Sequence, residues 1–221
     1  MRRINTMKRA SFIIIFGAVL GFSTVANAAL VVDTGAPTNS WPTSLVGGWG
    51  QDDMVSQWLS GQFTLKQGYD IDEMQGYLGV NVVGNVLVTI YSDNQGHPDT
   101  SIFSKTFMSE SDQYYGWQGT SGYAGRLDAG TYWIAFEVPV GSPFQGGMGS
   151  SGLSSPVMAA EALNVNMGGE AGWSGWWVVP QDSGLGVYAR IYGNPVPVPG
   201  AIWLLGTGLA GLAAARKKFR K

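Results

Sequence analysis

Between positions 29 and 194 the chain alternates short apolar runs with clusters of Gly, Asn, Asp, Ser and Pro. Aromatic and β-branched runs punctuated in this way predict strands. Residues 55–65 place Trp58, Phe63 and Leu65 among polar neighbours, and residues 69–83 hold one strand or two. Val86-Leu-Val-Thr-Ile-Tyr91 is the strongest β segment, and Gly130-Thr-Tyr-Trp-Ile-Ala-Phe-Glu-Val138 the next. Residues 101–107, with Ile102, Phe103 and Phe107, and residues 172–179 and 185–192 complete the set. Residues 156–163 read as a helix: Ser155 caps it, Pro156 suits its first turn and alanines follow. Residues 141–155, rich in Gly and Ser, predict a long loop. Closely spaced turns without a β–helix–β rhythm predict an all-β fold, an antiparallel, jelly-roll-like β-sandwich. A body of about 166 residues buries ~70% of its unfolded surface, enough for one core.

The two ends follow a different pattern. Arg2, Arg3, Lys8 and Arg9 precede an apolar stretch over residues 12–25, and Ala26-Asn27-Ala28 then stands before Ala29. Basic segment, apolar segment and A-x-A site in that order predict a secretory signal peptide over residues 1–28, cleaved ahead of Ala29. The apolar stretch is shorter than the ~20 residues a spanning helix needs. At the other end Pro195, Pro197 and Pro199 alternate with Val196 and Val198, which enforces an extended approach. The uncharged run over residues 200–215 would reach roughly 24 Å as a helix. That length spans a thin bilayer when flanking residues snorkel. Arg216, Lys217, Lys218, Arg220 and Lys221 would hold the tail on the cytoplasmic side, with Trp203 near the opposite interface. Gly206, Gly208 and Gly211 give the helix a small-residue face. The expected topology is a body outside the membrane, one short helix and a basic stop.

Composition removes several function classes. The chain has no Cys, so it has no disulfide framework, thiolate nucleophile or Cys-ligated metal. His97 is the single imidazole. The formal net charge of −2 hides a segregation. Between the ends, four cations (Lys66, Lys105, Arg126 and Arg190) face all fifteen acids, which gives the body a charge of −11. A body so acidic lacks the basic footprint of a nucleic-acid binder.

The C-terminal order resembles the PEP-CTERM sorting signal of Gram-negative bacteria, in which a Pro-x-Pro motif, a short Gly-containing helix and an Arg/Lys cluster follow one another. The residues carrying the likeness are Val196, Pro197, Val198, Pro199, Gly200 and Ala201, followed by Trp203-Leu-Leu-Gly206. The name-giving form has Glu between the prolines, where this chain has Val198. The resemblance implies removal of the tail after export by an exosortase, a membrane protease-transpeptidase. It also implies an association with exopolysaccharide, biofilm and surface matrix. Within the body, three segments are similar to the choice-of-anchor β-sandwiches found ahead of such tails. They are Val88-Thr-Ile-Tyr-Ser-Asp93-Asn94-Gln-Gly96-His97-Pro98, Leu127-Asp-Ala-Gly130-Thr-Tyr-Trp133-Ile and Val187-Tyr-Ala-Arg190-Ile-Tyr-Gly193. That likeness, over residues 54–193, brings a fold and no activity.

Candidate chemistry is sparse. Asp93, Asn94 and Asp99 in Asp93-Asn-Gln-Gly96-His-Pro-Asp99 offer hard oxygen ligands to Ca²⁺, without the spacing of an EF-hand. The competing reading is a hairpin turn, with Asp and Asn capping the backbone and Gly96 at positive φ. Asp70 and Asp72 would share a strand face, and Asp52-Asp53 form another acidic pair. No Gly-x-Ser-x-Gly elbow accompanies His97, and Gly147-Met-Gly149-Ser-Ser-Gly152 lacks the strand and helix a dinucleotide site requires. Trp173-Ser-Gly-Trp176-Trp177 is dense in indole. Alternation puts Trp173 and Trp177 on one face and Trp176 on the other, so one side can present rings that stack on sugars. Tyr114-Tyr-Gly-Trp117 is a second such segment. The expectation is a non-enzymatic surface or matrix protein with a structural or adhesive role. Its partners would be an exosortase, the membrane before processing and extracellular polysaccharide. The alternatives are a carbohydrate-binding module on Trp173, Trp176 and Trp177, and a secreted polysaccharide-active enzyme with two converging carboxylates.

Overall fold

The computed structural model describes residues 28–37, 41–46, 55–110, 115–123, 125–139, 141–150, 158–167, 173–180, 186–196, 206–209, 212 and 216. Its strands are β1 (Ala29–Asp33), β2 (Trp41–Val46), β3 (Val55–Leu65), β4 (Tyr69–Val82), β5 (Asn85–Asn94), β6 (His97–Met108), β7 (Gly116–Thr120), β8 (Gly125–Leu127), β9 (Gly130–Glu137), β10 (Gln145–Ser150), β11 (Glu161–Met167), β12 (Trp173–Val179) and β13 (Ala189–Pro195). The described pairs are antiparallel. Sheet one runs β12–β11–β3–β9–β5–β6. Sheet two is built on β4, which takes β13 and then β10 along one edge and β8 and β7 along the other. β1 extends it beyond β13, and β2 beyond β10. The sheets join at a corner where Val46 of β2 pairs with Gln57 of β3.

Between the sheets lies an apolar core that includes Leu59, Phe63, Ile71, Met74, Leu78, Ile90, Ile134, Phe136 and Phe144. The sheets come close at Gly76 of β4, where a Cβ would stand 2.6 Å from Cε1 of Phe136. A side chain there would push against a fully buried ring, so glycine sets the layer spacing. At one open edge Lys105 of β6 closes the sandwich: its Nζ donates to the carbonyls of Ser121 (2.5 Å) and Gly122 (3.3 Å).

Several segments form as their pattern dictates. β3 covers residues 55–65, and residues 69–82 make one strand rather than two. The β5–β6 connection is a tight hairpin with Gln95 and Gly96 at φ 54° and 82°. Asp70 and Asp72 both face solvent from β4. Two expectations are corrected. Residues 161–167, assigned in part to a helix, are β11, inserted between β3 and β12; two ladders of backbone bonds outweigh alanine's helix propensity. Ser155 and Pro156 lie outside the described residues. Within the expected 141–155 loop, Gln145–Ser150 is β10. Its Gly146 is a packing requirement: a Cβ there would strike the Gly79 carbonyl and the Phe144 ring. Residues 1–27, most of the expected signal peptide, lie outside the described residues, and β1 begins at Ala29. In the tail, residues 206–209, 212 and 216 are helical. Among the described residues no helix is long and apolar enough to cross a membrane.

Candidate functional site

β9 is buried on both faces. Ile134 and Phe136 enter the core, while Trp133, Ala135 and Glu137 point away from it and are buried all the same. Sheet one covers this second face by curling: its edge strands β12 and β6 approach within 8 Å between Cα atoms. The floor of the concave face is a row of small side chains in register, Ala162, Ser60, Ala135 and Thr89. Because these residues are short, large rings from the flanking rows can lie over them. Trp58, Tyr91 and Trp176 do so. Trp176 meets Trp58 at 6.3 Å between centroids and Tyr91 edge-on at 5.7 Å. In a flat sheet four strand steps would part Trp176 from Tyr91, roughly 19 Å at ~4.8 Å per step.

A bulge aims Trp176. Between Asn164 and Asn166 the β11–β12 register slips, and Gly175 takes φ 84°. The extra residue re-aims the side chain that follows, as bulges do. Trp176 thus turns into the trough beside Asn164 and Trp58, whereas Trp177 turns outward and is 61% exposed. Trp173 pairs through its backbone with Asn166; its side chain lies outside the described residues.

The trough is polar as well as aromatic. The Tyr91 hydroxyl donates to Oε1 of Glu137 at 2.8 Å. Burial, then the Glu137 charge, push the Tyr91 phenol above its ordinary range. Burial likewise raises Glu137 above the usual carboxylate value. Thr89 lies close enough to this pair to lower both groups, and its Oγ1 is buried without a partner at full hydrogen-bond geometry. The same holds for Oδ1 of Asn164. Trp58 donates through Nε1 to the Val138 carbonyl at 3.3 Å.

Asp93 closes one end of the concave face. Its Oδ1 accepts from Gln62 Nε2 (2.6 Å) and Trp133 Nε1 (2.8 Å), and its Oδ2 from the Gly96 amide (3.3 Å). Burial alone would raise this carboxyl; the donors outweigh it and hold the value below normal. Asn94 pairs with His97 across the hairpin and is exposed, and the Asp99 carboxylate accepts from its neighbour Thr100. Three donors thus sit on Asp93, two on Oδ1 and one on Oδ2. Among the described residues no group of three or more His, Asp or Glu converges on a point.

A second aromatic group stands on the outer face of sheet two. Tyr77 lies parallel to Tyr115 at 6.2 Å and edge-on to Trp117 at 5.2 Å. The Arg190 guanidinium sits 4.0 Å over Trp117 and is held by Asp33 at 3.1 Å. Tyr114 lies outside the described residues. Beside Lys105, Phe103 and Tyr123 line an open groove of about 280 Å³. There burial raises the Tyr123 phenol to about 12.

Sequence reasoning singled out Trp176 but missed Trp58, Tyr91, Glu137 and Asn164 beside it. The available signal was the unbroken run Trp133-Ile-Ala-Phe-Glu137, too apolar on alternate positions for a strand with one wet face.

Of the sorting motif, Pro195 ends β13 and the Val196 amide donates to the Gly68 carbonyl at 2.9 Å. Pro197, Val198, Pro199 and Gly200 lie outside the described residues. Compared with known families, residues 195–218 match the PEP-CTERM protein-sorting motif. No curated protein and no solved structure matches the chain.

Proposed function

From a tail that is a PEP-CTERM sorting signal, we propose that this chain is an exported surface protein, sorted by an exosortase, with a body that serves a structural or adhesive role against extracellular polysaccharide. The tail match is the observation that carries the reading. Export and surface placement follow from the signal. The matrix role is supported by the acidic, cysteine-free body and by its two groups of aromatic side chains. The three body segments that resemble choice-of-anchor sandwiches are in keeping with it. The reading is a non-enzymatic one.

The test expresses the full chain in an exosortase-bearing bacterium and in the same strain with the exosortase deleted. Intact mass and cell fractionation are read in both. We expect a product shortened by the tail and found at the surface in the first strain, and a longer membrane-retained product in the second. Identical products in both strains would overturn the sorting assignment.

A further inference from the structure

Native folds leave few buried polar atoms without a partner, since each costs roughly 1–3 kcal/mol. The concave face of sheet one holds two: Oγ1 of Thr89, in a residue 1% exposed, and Oδ1 of Asn164, in one 5% exposed. They lie among Trp58, Tyr91 and Trp176, each half-buried, with the Glu137 carboxyl below. Rings thus stand over a floor of small residues together with spare hydrogen-bonding capacity. Indole and phenol rings accept the C–H faces of a sugar ring. A carbonyl oxygen and a hydroxyl accept its OH groups. The strongly acidic body and the Glu137 carboxyl disfavour an anion. A pure hydrocarbon partner would leave both orphan atoms unmet.

Access is built into the edge of the sheet. Among the described residues β12 is bonded to β11 alone, so Trp176 is carried by an edge strand, and the Gly175 bulge adjoins it. We propose that this trough binds a neutral saccharide residue, with Trp176 as its movable cover, Trp58 and Tyr91 as stacking walls, and Asn164 Oδ1 and Thr89 Oγ1 as hydroxyl partners. The assignment rests on the polysaccharide-facing role above and names the site of that contact.

The test titrates the purified full chain with dextran, galactomannan and alginate, reading Trp emission and retardation in glycan-containing gels. Saturable binding of a neutral glycan with a shift in emission is expected, and none to the anionic alginate. Trp176→Ala and Asn164→Ala should each weaken binding at least tenfold with little change in the urea midpoint. Trp177→Ala, on the opposite side, should bind as the parent does. Should Trp176→Ala fail to fold, Trp176→Phe keeps a ring and should retain most of the affinity. Absence of binding to both neutral glycans, or loss in Trp177→Ala equal to that in Trp176→Ala, would overturn the proposal. A chain that is cleaved and surface-placed yet binds no glycan refutes this site alone. One that binds glycan but is never cleaved refutes the sorting assignment alone.

Discussion

At Asp93 one carboxylate takes an indole N–H, a side-chain amide and a backbone amide from β9, β3 and its own hairpin. The sequence offers this residue as the cap of a hairpin turn or as a ligand for Ca²⁺; in the fold it caps the hairpin and also ties three strands together. Asp93→Ala would strand the N–H of Trp133, a fully buried residue, and the amide of Gln62. The expected cost is about 2–4 kcal/mol, read as a lower urea midpoint with an unchanged m-value. An unfolding free energy within about 0.5 kcal/mol of the parent, the effect of an ordinary surface change, would show that the carboxylate holds nothing in place.

At the level of strands, the legible parts were those where one force acts. β3, β5 and β9 combine β-branched and aromatic residues with turns at their ends, and the pattern locates them. β10 and β11 were misread because tertiary contact decides them. Gly146 in β10 stands where neighbouring backbone comes close, and Ala162 in β11 lies in the row beneath the rings. The trough was hidden for a related reason: local alternation shows which residues share a face, but not that the sheet curls to bury it. Trp176 was visible as an aromatic, while Tyr91, Trp58 and Asn164 reach it only through pairing across five strands. The contact at Gly76 makes an element-scale prediction. Gly76→Ala should force β4 and β9 apart at Phe136 and cost about 1–3 kcal/mol, despite alanine's lower unfolded-state entropy. Thermal unfolding checks it, and an unchanged or raised midpoint would mean that the sheets can give way there.

Over the whole molecule, acids in opposite environments shape the stability curve. Glu161 is fully buried, with Oε1 accepting from the Val187 amide and Oε2 unpartnered. Burial pushes its carboxyl from 4.5 up to about 7. Between those values the folded state holds more protons than the unfolded one, so stability falls as pH rises. Glu137 is raised by burial and acts in the same sense. Asp93 acts in the other: its stabilisation is present above the ordinary 3.8 and is lost as pH falls through its lower folded value. The unfolding midpoint should therefore peak at roughly pH 4–5 and decline toward pH 8. Glu161→Gln should remove much of the decline, up to about 3 kcal/mol. Equal slopes for parent and variant between pH 4.5 and 7 would assign the decline to general repulsion among the body's acids instead.

The pairing of Ala29 with Gly193 has a consequence in time. Synthesis and export deliver β1 early, yet its ladder partner is β13, the last strand before the sorting motif, and β13 also supplies the long edge of β4. Until that strand has passed the membrane, sheet two lacks a central member and β1 has nothing to bond to. The final cooperative closure of the body therefore waits for the segment that leads directly into the sorting motif. A chain stalled or truncated before residue 189 would reach the far side as an open sheet with two unpaired edges, the form most prone to join with its neighbours.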